Sequence, residues 1–140
     1  MTRPTSARGA IITGGAQRIG RAIALALANG GRHVVVHYHQ SEKEAAETVA
    51  AIEARGEQAV AIAADLSDPA AAAALVSAAV DVTGGVGCLV NNASMFAADD
   101  ISSVAAADFD AIMAVNLRAP VLLSRAFAEQ LPGDAEGVIV

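Results

Sequence analysis

A glycine-rich turn between a predicted strand and a predicted helix constrains this chain more than any other feature. Residues 13–20 read Thr-Gly-Gly-Ala-Gln-Arg-Ile-Gly, after the apolar run 10–12 and before an apolar-periodic stretch that begins near Arg21. Glycines let the backbone turn tightly, and the first amides of a helix have no partner within that helix. The turn therefore predicts a site for an anionic group such as a phosphate. A tight strand–helix connection without a ligand is the alternative.

Beyond this turn the chain continues to alternate between strand and helix. We predict strands over residues 10–13, 33–38, 58–64, 88–91 and 138–140, and helices over 18–29, 42–55, 68–83 and 108–131. Such alternation favours βαβ units with right-handed crossovers. We expect one dinucleotide-binding domain over residues 1–140, an α/β fold with a Rossmann-type doubly wound parallel sheet in three α/β/α layers, incomplete at its C-terminal side. Ligands of such sheets bind at the carboxyl ends of the strands.

Composition and charge narrow the classes of function. The formal net charge is -6 at pH 7, which argues against a nucleic acid or an anionic membrane as the main partner. No apolar run approaches the ~18 residues of a membrane span, and the N-terminus lacks the apolar segment of a signal peptide. We therefore expect a cytoplasmic protein. The single cysteine, Cys88, excludes an internal disulfide and argues against a thiolate metal site, so no metal site is predicted.

The residues around the end of the second strand favour NADP over NAD. Enzymes that prefer NAD usually place an acid about 20 residues after the glycine turn, where it holds the ribose 2′-hydroxyl. Tyr38 stands there instead, and Arg18 lies within the turn. A guanidinium with donors from His39 and Ser41 suits a 2′-phosphate. The alternative places Arg18 and His39 at the solvated surface, and His37 is interpreted as a packed strand residue rather than a ligand.

Polar residues also follow the third and fourth strands. Asp65 is placed to accept a hydrogen bond from an adenine amino group while Leu66 packs on the ring, and a plain helix-entry acid is the equal alternative for Asp65. Asn91 and Asn92 leave a buried apolar strand, so we expect their amides to tie neighbouring strand ends together. The small Ala93 leaves room for a flat ring or a ribose. A simple asparagine turn is the alternative.

A proline distorts the long helix predicted over residues 108–131. Pro120 has no N–H, so the carbonyl of Asn116 loses its helical hydrogen bond and that turn opens. We expect a kink with a free carbonyl that can hold a water or a cation. An ordinary proline kink without function is the alternative.

These motifs together resemble the short-chain dehydrogenase/reductase family and, within it, the pteridine-reductase branch. The resemblance lies in the glycine turn with arginine in place of its middle glycine, in His-Tyr-His-x-Ser after the second strand, and in Asp-Leu and Asn-Asn-Ala-Ser after the next two. It implies cofactor binding by Thr13, Gly14, Arg18, Ile19, Gly20, Tyr38, His39, Ser41, Asp65, Leu66, Asn92, Ala93 and Ser94.

The resemblance also assigns roles near the substrate. Asn116 matches the catalytic-tetrad asparagine, and Ser94 and Phe96 match substrate contacts, with Phe96 stacking on a bound pterin. One departure is Gln40, which stands where many of the branch carry an arginine and weakens the grip on a 2′-phosphate. Relatives commonly associate through the long helix, so the resemblance implies a homo-oligomer through residues 108–131.

The implied reaction is hydride transfer from NADPH to a pteridine-like or carbonyl substrate, with the proton supplied by the tyrosine of a Tyr-x-x-x-Lys pair. This chain has one tyrosine, Tyr38, and one lysine, Lys43, in the wrong place and spacing for that pair. We therefore expect the 140 residues alone to be inactive and to be the N-terminal part of a longer enzyme. A non-catalytic dinucleotide-binding or assembly module is the alternative, and a reductase of acyl-carrier ketones or sugars is a third hypothesis.

Overall fold

The structure, a computed structural model, describes residues 7–140 and contains one parallel sheet. The expectation about a signal segment concerns residues that lie mostly outside this range. The strands are β1 Gly9–Ile12, β2 His33–Tyr38, β3 Ala59–Ala63, β4 Val86–Val90 and β5 Val138–Ile139. Their order in the sheet is β3-β2-β1-β4-β5, and every neighbouring pair is parallel. The sheet runs outward in both directions from β1, as predicted for a doubly wound fold.

Helices cover both faces of this sheet. They are α1 Arg18–Asn29, α2 Glu42–Glu53, α3 Ala71–Thr83, α4 Ala106–Met113 and α5 Ala119–Gln130, with a π-helical segment at Ala114–Arg118 between the last two. One core joins α1 and α2 to one face of the sheet, and a second core joins α3 and α5 to the other. The predicted three-layer Rossmann-type architecture is therefore confirmed.

Successive side chains of β2 pack alternately into the two cores. Val34 and Val36 pack toward α1 and α2, whereas Val35 packs toward α3 and α5, and all three are fully buried. Covering both faces explains why this strand reads as a continuous apolar run. Small buried alanines such as Ala24 and Ala28 let α1 approach the sheet closely. This packing holds the strand ends, and the loops that leave them, in fixed relative positions.

The third helix begins later than predicted. We expected it to start at Asp68, but α3 begins at Ala71. The side-chain carboxylate of Asp68 accepts the N–H of Ala70 at 2.9 Å, and the backbone carbonyl of Asp68 accepts the N–H of Ala71 at 3.1 Å. Asp68 and Pro69 thus form a turn before the helix, because aspartate bonds readily to backbone two residues ahead.

The predicted distortion near Asn116 takes the form of a π-helical segment rather than a plain kink. Pro120 follows it in the first turn of α5, where a missing N–H is tolerated.

One apolar helix is long enough to cross a membrane, although Asp108, Asp110 and Arg118 interrupt its apolar residues. Ala106–Gln130 is 25 residues long with a mean hydropathy of 1.3, which suffices by length and composition. Its Ala119, Leu123 and Phe127 are buried in the core shared with α3 and the sheet. These contacts give the three side chains a role in packing the domain.

Candidate functional site

A cavity of about 740 Å³ opens at the carboxyl ends of β1 to β4. This volume is in the range of small-molecule and cofactor sites. Of the sequence-predicted site residues, it is lined by Gly14, Arg18, Ile19, Gly20, Tyr38, His39, Ser41, Asp65, Leu66, Asn92, Ala93, Ser94 and Phe96. Residues from four separate loops therefore meet in one place. The structure places Thr13 and Asn116 outside this lining.

Two glycines allow the turn after β1 to close against α1. Gly14 has φ of +62°, a left-handed conformation that glycine adopts without strain. A Cβ on Gly20 would overlap the carbonyl oxygen of Gly14 and lie 2.6 Å from Nδ2 of Asn92. The start of α1 thus sits directly on the turn, with the exposed Arg18 and Ile19 between these glycines. Arg18 itself has φ of +51° and is the only non-glycine residue with positive φ among residues 7–140.

Thr13 and Asn92 join the ends of β1 and β4. The buried hydroxyl of Thr13 donates to the carbonyl of Val90 at 3.3 Å and accepts the N–H groups of Asn92 and Ala93, each at 2.9 Å. In return, Nδ2 of Asn92 donates to the carbonyls of Thr13 at 3.0 Å and Gly14 at 3.1 Å. This confirms the expected tie for Asn92 but not for Asn91, whose buried Oδ1 has no hydrogen-bond partner within residues 7–140. Thr13 supports the cavity from beneath.

His37 and Thr48 hold the same turn from the β2–α2 side, and the sequence prediction did not assign them to the site. The N–H of Gly14 donates to Nδ1 of His37 at 3.1 Å, and Nε2 of His37 pairs with the carbonyl of Ala64 at 3.0 Å. The hydroxyl of Thr48 donates to the carbonyl of Ala16 at 2.9 Å. Thr48 had a signal in the sequence, because it lies on the apolar face of α2 with Ala45 and Ile52.

Burial controls the charge of His37. Removal from water lowers the pKa of its imidazole, and the nearby His39 lowers it further, while the hydrogen bond to Ala64 acts in the opposite direction. The imidazole is thus held neutral at neutral pH. A neutral ring has one donor and one acceptor nitrogen, which suits the two partners that it contacts.

Cationic and polar groups surround the region between α1 and the end of β2. Arg18 and His39 are exposed, and Nε2 of Gln17 donates to the hydroxyl of Ser41 at 3.2 Å. Nε2 of His39 lies 3.9 Å from Oδ2 of Asp65. These side chains can place positive charge and hydrogen-bond donors around a phosphate ester.

Asp65 and Leu66 differ in their surroundings. Oδ1 of Asp65 accepts the N–H and the hydroxyl of Ser67 at 2.9 and 2.7 Å. Both bonds favour the carboxylate, so the pKa of Asp65 lies below its ordinary value. Leu66 is 6% exposed and packs in the core with α3. Leu66 is therefore held rigidly at the cavity wall.

Asn116 shapes the loop that carries the predicted substrate contacts. Its Oδ1 accepts the N–H of Met95 at 2.7 Å, and its Nδ2 donates to the carbonyl of Met95 at 2.8 Å. This pair of bonds fixes the backbone between Ser94 and Phe96. The ring of Phe96 is 87% exposed at the cavity mouth. Arg118 joins the same π segment to the carbonyl of Ser67 at 2.5 Å.

No group of three or more potential metal ligands is found within residues 7–140. Other lining residues that the sequence prediction missed are Ala16, Gln17, Gln40, Ala64, Ser67, Met95 and Val115. Most of them are neighbours in the chain of predicted site residues, so the predicted loops meet at this cavity together with residues that the prediction did not name.

Residues 8–140 match the family described as short chain dehydrogenase. The chain belongs to the short-chain dehydrogenase family. This confirms the family-level resemblance and agrees with the parallel sheet and the cavity at its strand ends. The pteridine-reductase branch is a finer assignment that this match does not test.

The curated relatives of this chain include proteins with several different names. It is 38% identical over 130 residues to an uncharacterised oxidoreductase of Methylorubrum extorquens, covering 93% of this chain and 52% of that protein. It is 37% identical over 122 residues to a hydroxynaphthalene reductase of Aspergillus fumigatus, covering 87% and 45%. The chain thus spans about half the length of the curated relatives it matches.

Solved structures resemble this chain along nearly its whole length. A short chain dehydrogenase from Burkholderia cenocepacia in complex with NADP has a TM-score of 0.89 and 38% identity, covering 98% of this chain and 56% of that one. FolM alternative dihydrofolate reductase 1 from Brucella canis, complexed with NADP, has a TM-score of 0.88 and 36% identity, covering 94% and 52%.

Proposed function

We propose that this chain is the cofactor-binding portion of an NADP(H)-dependent short-chain dehydrogenase/reductase, and that residues 1–140 form a single dinucleotide-binding domain. The observation that carries the proposal is the convergence of the glycine turn, the β2 end and the β4 end on one cavity of about 740 Å³. Such a cavity accommodates an elongated phosphorylated ligand along the strand ends. Structural neighbours that contain NADP support this choice of ligand.

Preference for the 2′-phosphate rests on three side chains. Arg18, His39 and Ser41 line the cavity where the adenosine ribose of a bound dinucleotide would lie, and Tyr38 replaces the acid that would hold a free 2′-hydroxyl. A guanidinium binds a phosphate dianion more strongly than a neutral hydroxyl. The amides at the start of α1 would hold the pyrophosphate. Asp65 and Leu66 would border the adenine.

The remaining residues would organise the reacting end of the cofactor. The bound nicotinamide supplies the hydride. Asn92, Ala93 and Ser94 line the wall leading away from the glycine turn, toward Phe96. Asn116 would act through the loop at Met95 and is assigned as the catalytic-tetrad residue by the family resemblance.

A pteridine-like compound is the proposed substrate, with a simple carbonyl compound next. The exposed ring of Phe96 at the cavity mouth offers a flat apolar surface on which a pterin can stack. Similarity to a FolM alternative dihydrofolate reductase supports this class. A reductase, the hydroxynaphthalene reductase of Aspergillus fumigatus, is among the relatives, and a carbonyl compound remains the second candidate.

Cofactor titration tests the proposal directly. The fluorescence of the reduced dinucleotide itself reports binding. We expect a dissociation constant for NADPH at least tenfold below that for NADH, which corresponds to ~1.4 kcal/mol of binding free energy. Equal affinity for the two dinucleotides would contradict the assignment of Arg18, His39 and Ser41. Dinucleotide binding without turnover in the full-length protein would favour the alternative, a non-catalytic binding or assembly module.

We also propose that the protein self-associates through the segment 108–131. Phe109, Leu117 and Val121 on this segment are 55%, 54% and 59% exposed, and Met113 between them is 36% exposed. Their spacing of four residues forms an apolar stripe along one side of the helix. Sedimentation of the full-length protein tests this, because Leu117→Glu should then yield a monomer. A cytoplasmic location and the absence of nucleic-acid and membrane partners remain predictions.

A further inference from the structure

The buried polar side chains of this domain share one structural role. Within residues 7–140 the buried polar or charged residues are Thr13, His37 and Thr48, in a core that is otherwise apolar. Each of them contacts the glycine turn or begins it. Burying a polar group in an aliphatic core is costly unless it is hydrogen-bonded. The concentration of such groups around one turn indicates that the conformation of the turn matters to the protein.

His37 differs from the two threonines because its hydrogen bonding depends on a proton. Nδ1 accepts the N–H of Gly14, so this nitrogen must be unprotonated. Nε2 must then carry the hydrogen and donate it to the carbonyl of Ala64. Addition of a proton to Nδ1 would bring two N–H donors face to face at 3.1 Å. The turn could keep its conformation only while the ring is neutral.

We propose that neutral His37 is a positioning residue for the phosphate-binding turn, and that its protonation releases Gly14 and weakens dinucleotide binding. This rests on the proposed function of the cavity. His37 engages the N–H of Gly14, and its own carbonyl accepts the N–H of Gly15 at 3.0 Å. Two successive amides of the turn are thereby committed to β2. The amides at the start of α1 then remain available to bind the anion. His37 thereby determines which N–H donors face the phosphates.

Burial and the neighbouring His39 favour the neutral ring at neutral pH. The ionisable groups that line the same cavity are Arg18, Tyr38, His39 and Asp65, and Arg118 contacts Ser67 beside it. His39 and burial both lower the pKa of His37 below its model-compound value of 6.5. The unfolded chain therefore takes up this proton before the folded chain does. The contribution of the neutral His37 ring to the free energy of unfolding is therefore fully present above about pH 6.5. It decreases as the pH falls from there toward the pKa of His37 in the folded protein.

Two substitutions at position 37 separate positioning from packing. His37→Asn can keep an acceptor oxygen where Nδ1 lies but cannot titrate, whereas His37→Leu fills the space without an acceptor. NADP⁺, which is stable in acid, is titrated calorimetrically at about pH 8 and about pH 5. His39 and the 2′-phosphate are present in every one of these titrations, so the difference between wild type and His37→Asn isolates the effect of the His37 ring.

Between about pH 8 and about pH 5, we expect the affinity of the wild type for NADP⁺ to decrease. The fold decrease should be about five times that of His37→Asn, or larger. His37→Leu should bind NADP⁺ weakly at both. Equal pH dependence in wild type and His37→Asn, or wild-type affinity in His37→Leu, overturns the proposal.

A measurement without cofactor distinguishes this inference from the proposed function. The amide resonance of Gly14 should titrate together with the ring resonances of His37 in wild type and stay constant in His37→Asn. If Gly14 follows His37 while NADP⁺ fails to bind at any pH, the positioning of the turn stands and the proposed function fails. A Gly14 resonance that ignores the ring, or a ring that stays neutral down to about pH 5, overturns the inference itself.

Discussion

Arg18 occupies a left-handed backbone conformation, with φ of +51°, at the point where the glycine turn enters α1. This conformation costs a non-glycine residue about 1–2 kcal/mol, whereas glycine adopts it without that cost. The guanidinium is exposed at the rim of the cavity. The residue therefore combines a locally unfavourable backbone with a side chain suited to binding a phosphate, a combination that is typical of functional sites.

Replacing Arg18 separates these two properties. Arg18→Ala removes the charge and keeps the strained backbone, whereas Arg18→Gly removes both. We expect both variants to lose preference for NADPH over NADH, and Arg18→Gly to be about 1 kcal/mol more stable than Arg18→Ala. Urea denaturation and fluorescence titration measure these effects. Identical stability of the two variants would show that the left-handed conformation carries no strain.

Thr48 makes a second test at the scale of one residue. Thr48→Val preserves shape but removes the donor to the carbonyl of Ala16, which then has no side-chain partner. We expect a loss of about 1–3 kcal/mol in the free energy of unfolding, measured in urea. Thr48→Ser keeps the hydroxyl and serves as the matched control, with a smaller loss from the missing methyl group. A valine variant more stable than the serine variant would contradict the assigned role of the hydroxyl.

At the scale of elements, hydrogen bonds between two loops extend the connection between β1 and β4 beyond the paired strands. β1 pairs with β4 through Ile12 and Val90, and the ladder ends there. Thr13 and Asn92 then continue the connection with side chains in place of backbone. The two loops consequently leave the sheet in a fixed relation, which is what a shared ligand site requires.

This connection is tested at Thr13. Thr13→Val would leave the N–H groups of Asn92 and Ala93 without their acceptor in a part-buried position. We expect a loss of about 2–4 kcal/mol in unfolding free energy, since each unpaired group costs about 1–3 kcal/mol. Thr13→Ser retains all three hydrogen bonds and should remain within about 1 kcal/mol of wild type. Chemical denaturation of both variants provides the comparison, and a valine variant equal to wild type would refute the expectation.

The long helix shows how one element links the two halves of the site. Its π segment carries Asn116, which holds the loop at Met95, and Arg118, which holds the carbonyl of Ser67. Met95 follows β4, whereas Ser67 follows β3. A π segment shifts the register of side chains around the helix axis. The distortion before Pro120 thus lets neighbouring residues of one helix contact two different loops.

For the whole molecule, our proposal assigns cofactor positioning to this domain, and its 140 residues contain no Tyr-x-x-x-Lys pair. Its tyrosine and lysine, Tyr38 and Lys43, lie at the β2 end, far in the chain from Asn116. We expect no steady-state NADPH oxidation by the 140 residues with dihydrobiopterin or diacetyl, measured by absorbance of NADPH. A short-chain dehydrogenase/reductase that carries a Tyr-x-x-x-Lys pair is the positive control. Sustained turnover by the 140-residue chain would disprove this expectation.

Much of the fold and the location of the site could be predicted from local patterns. The strand–helix alternation, the glycine turn and the polar residues after each strand are encoded within short windows, where hydrophobic periodicity and backbone preference act directly. Element bounds were less certain, as the later start of α3 at Ala71 shows. The individual roles assigned to Tyr38, His39 and the other candidates remain predictions.

The sequence by itself determined that polar and glycine-rich loops would gather at one edge of a parallel sheet, because the direction of parallel strands puts their carboxyl ends together. Only the tertiary structure decided which groups hold the glycine turn. His37 and Thr48 reach it across 23 and 32 residues of chain, and these contacts depend on how β2 and α2 pack beside β1. Hydrogen-bond partners so distant in the chain are selected by packing, which no local pattern of residues specifies.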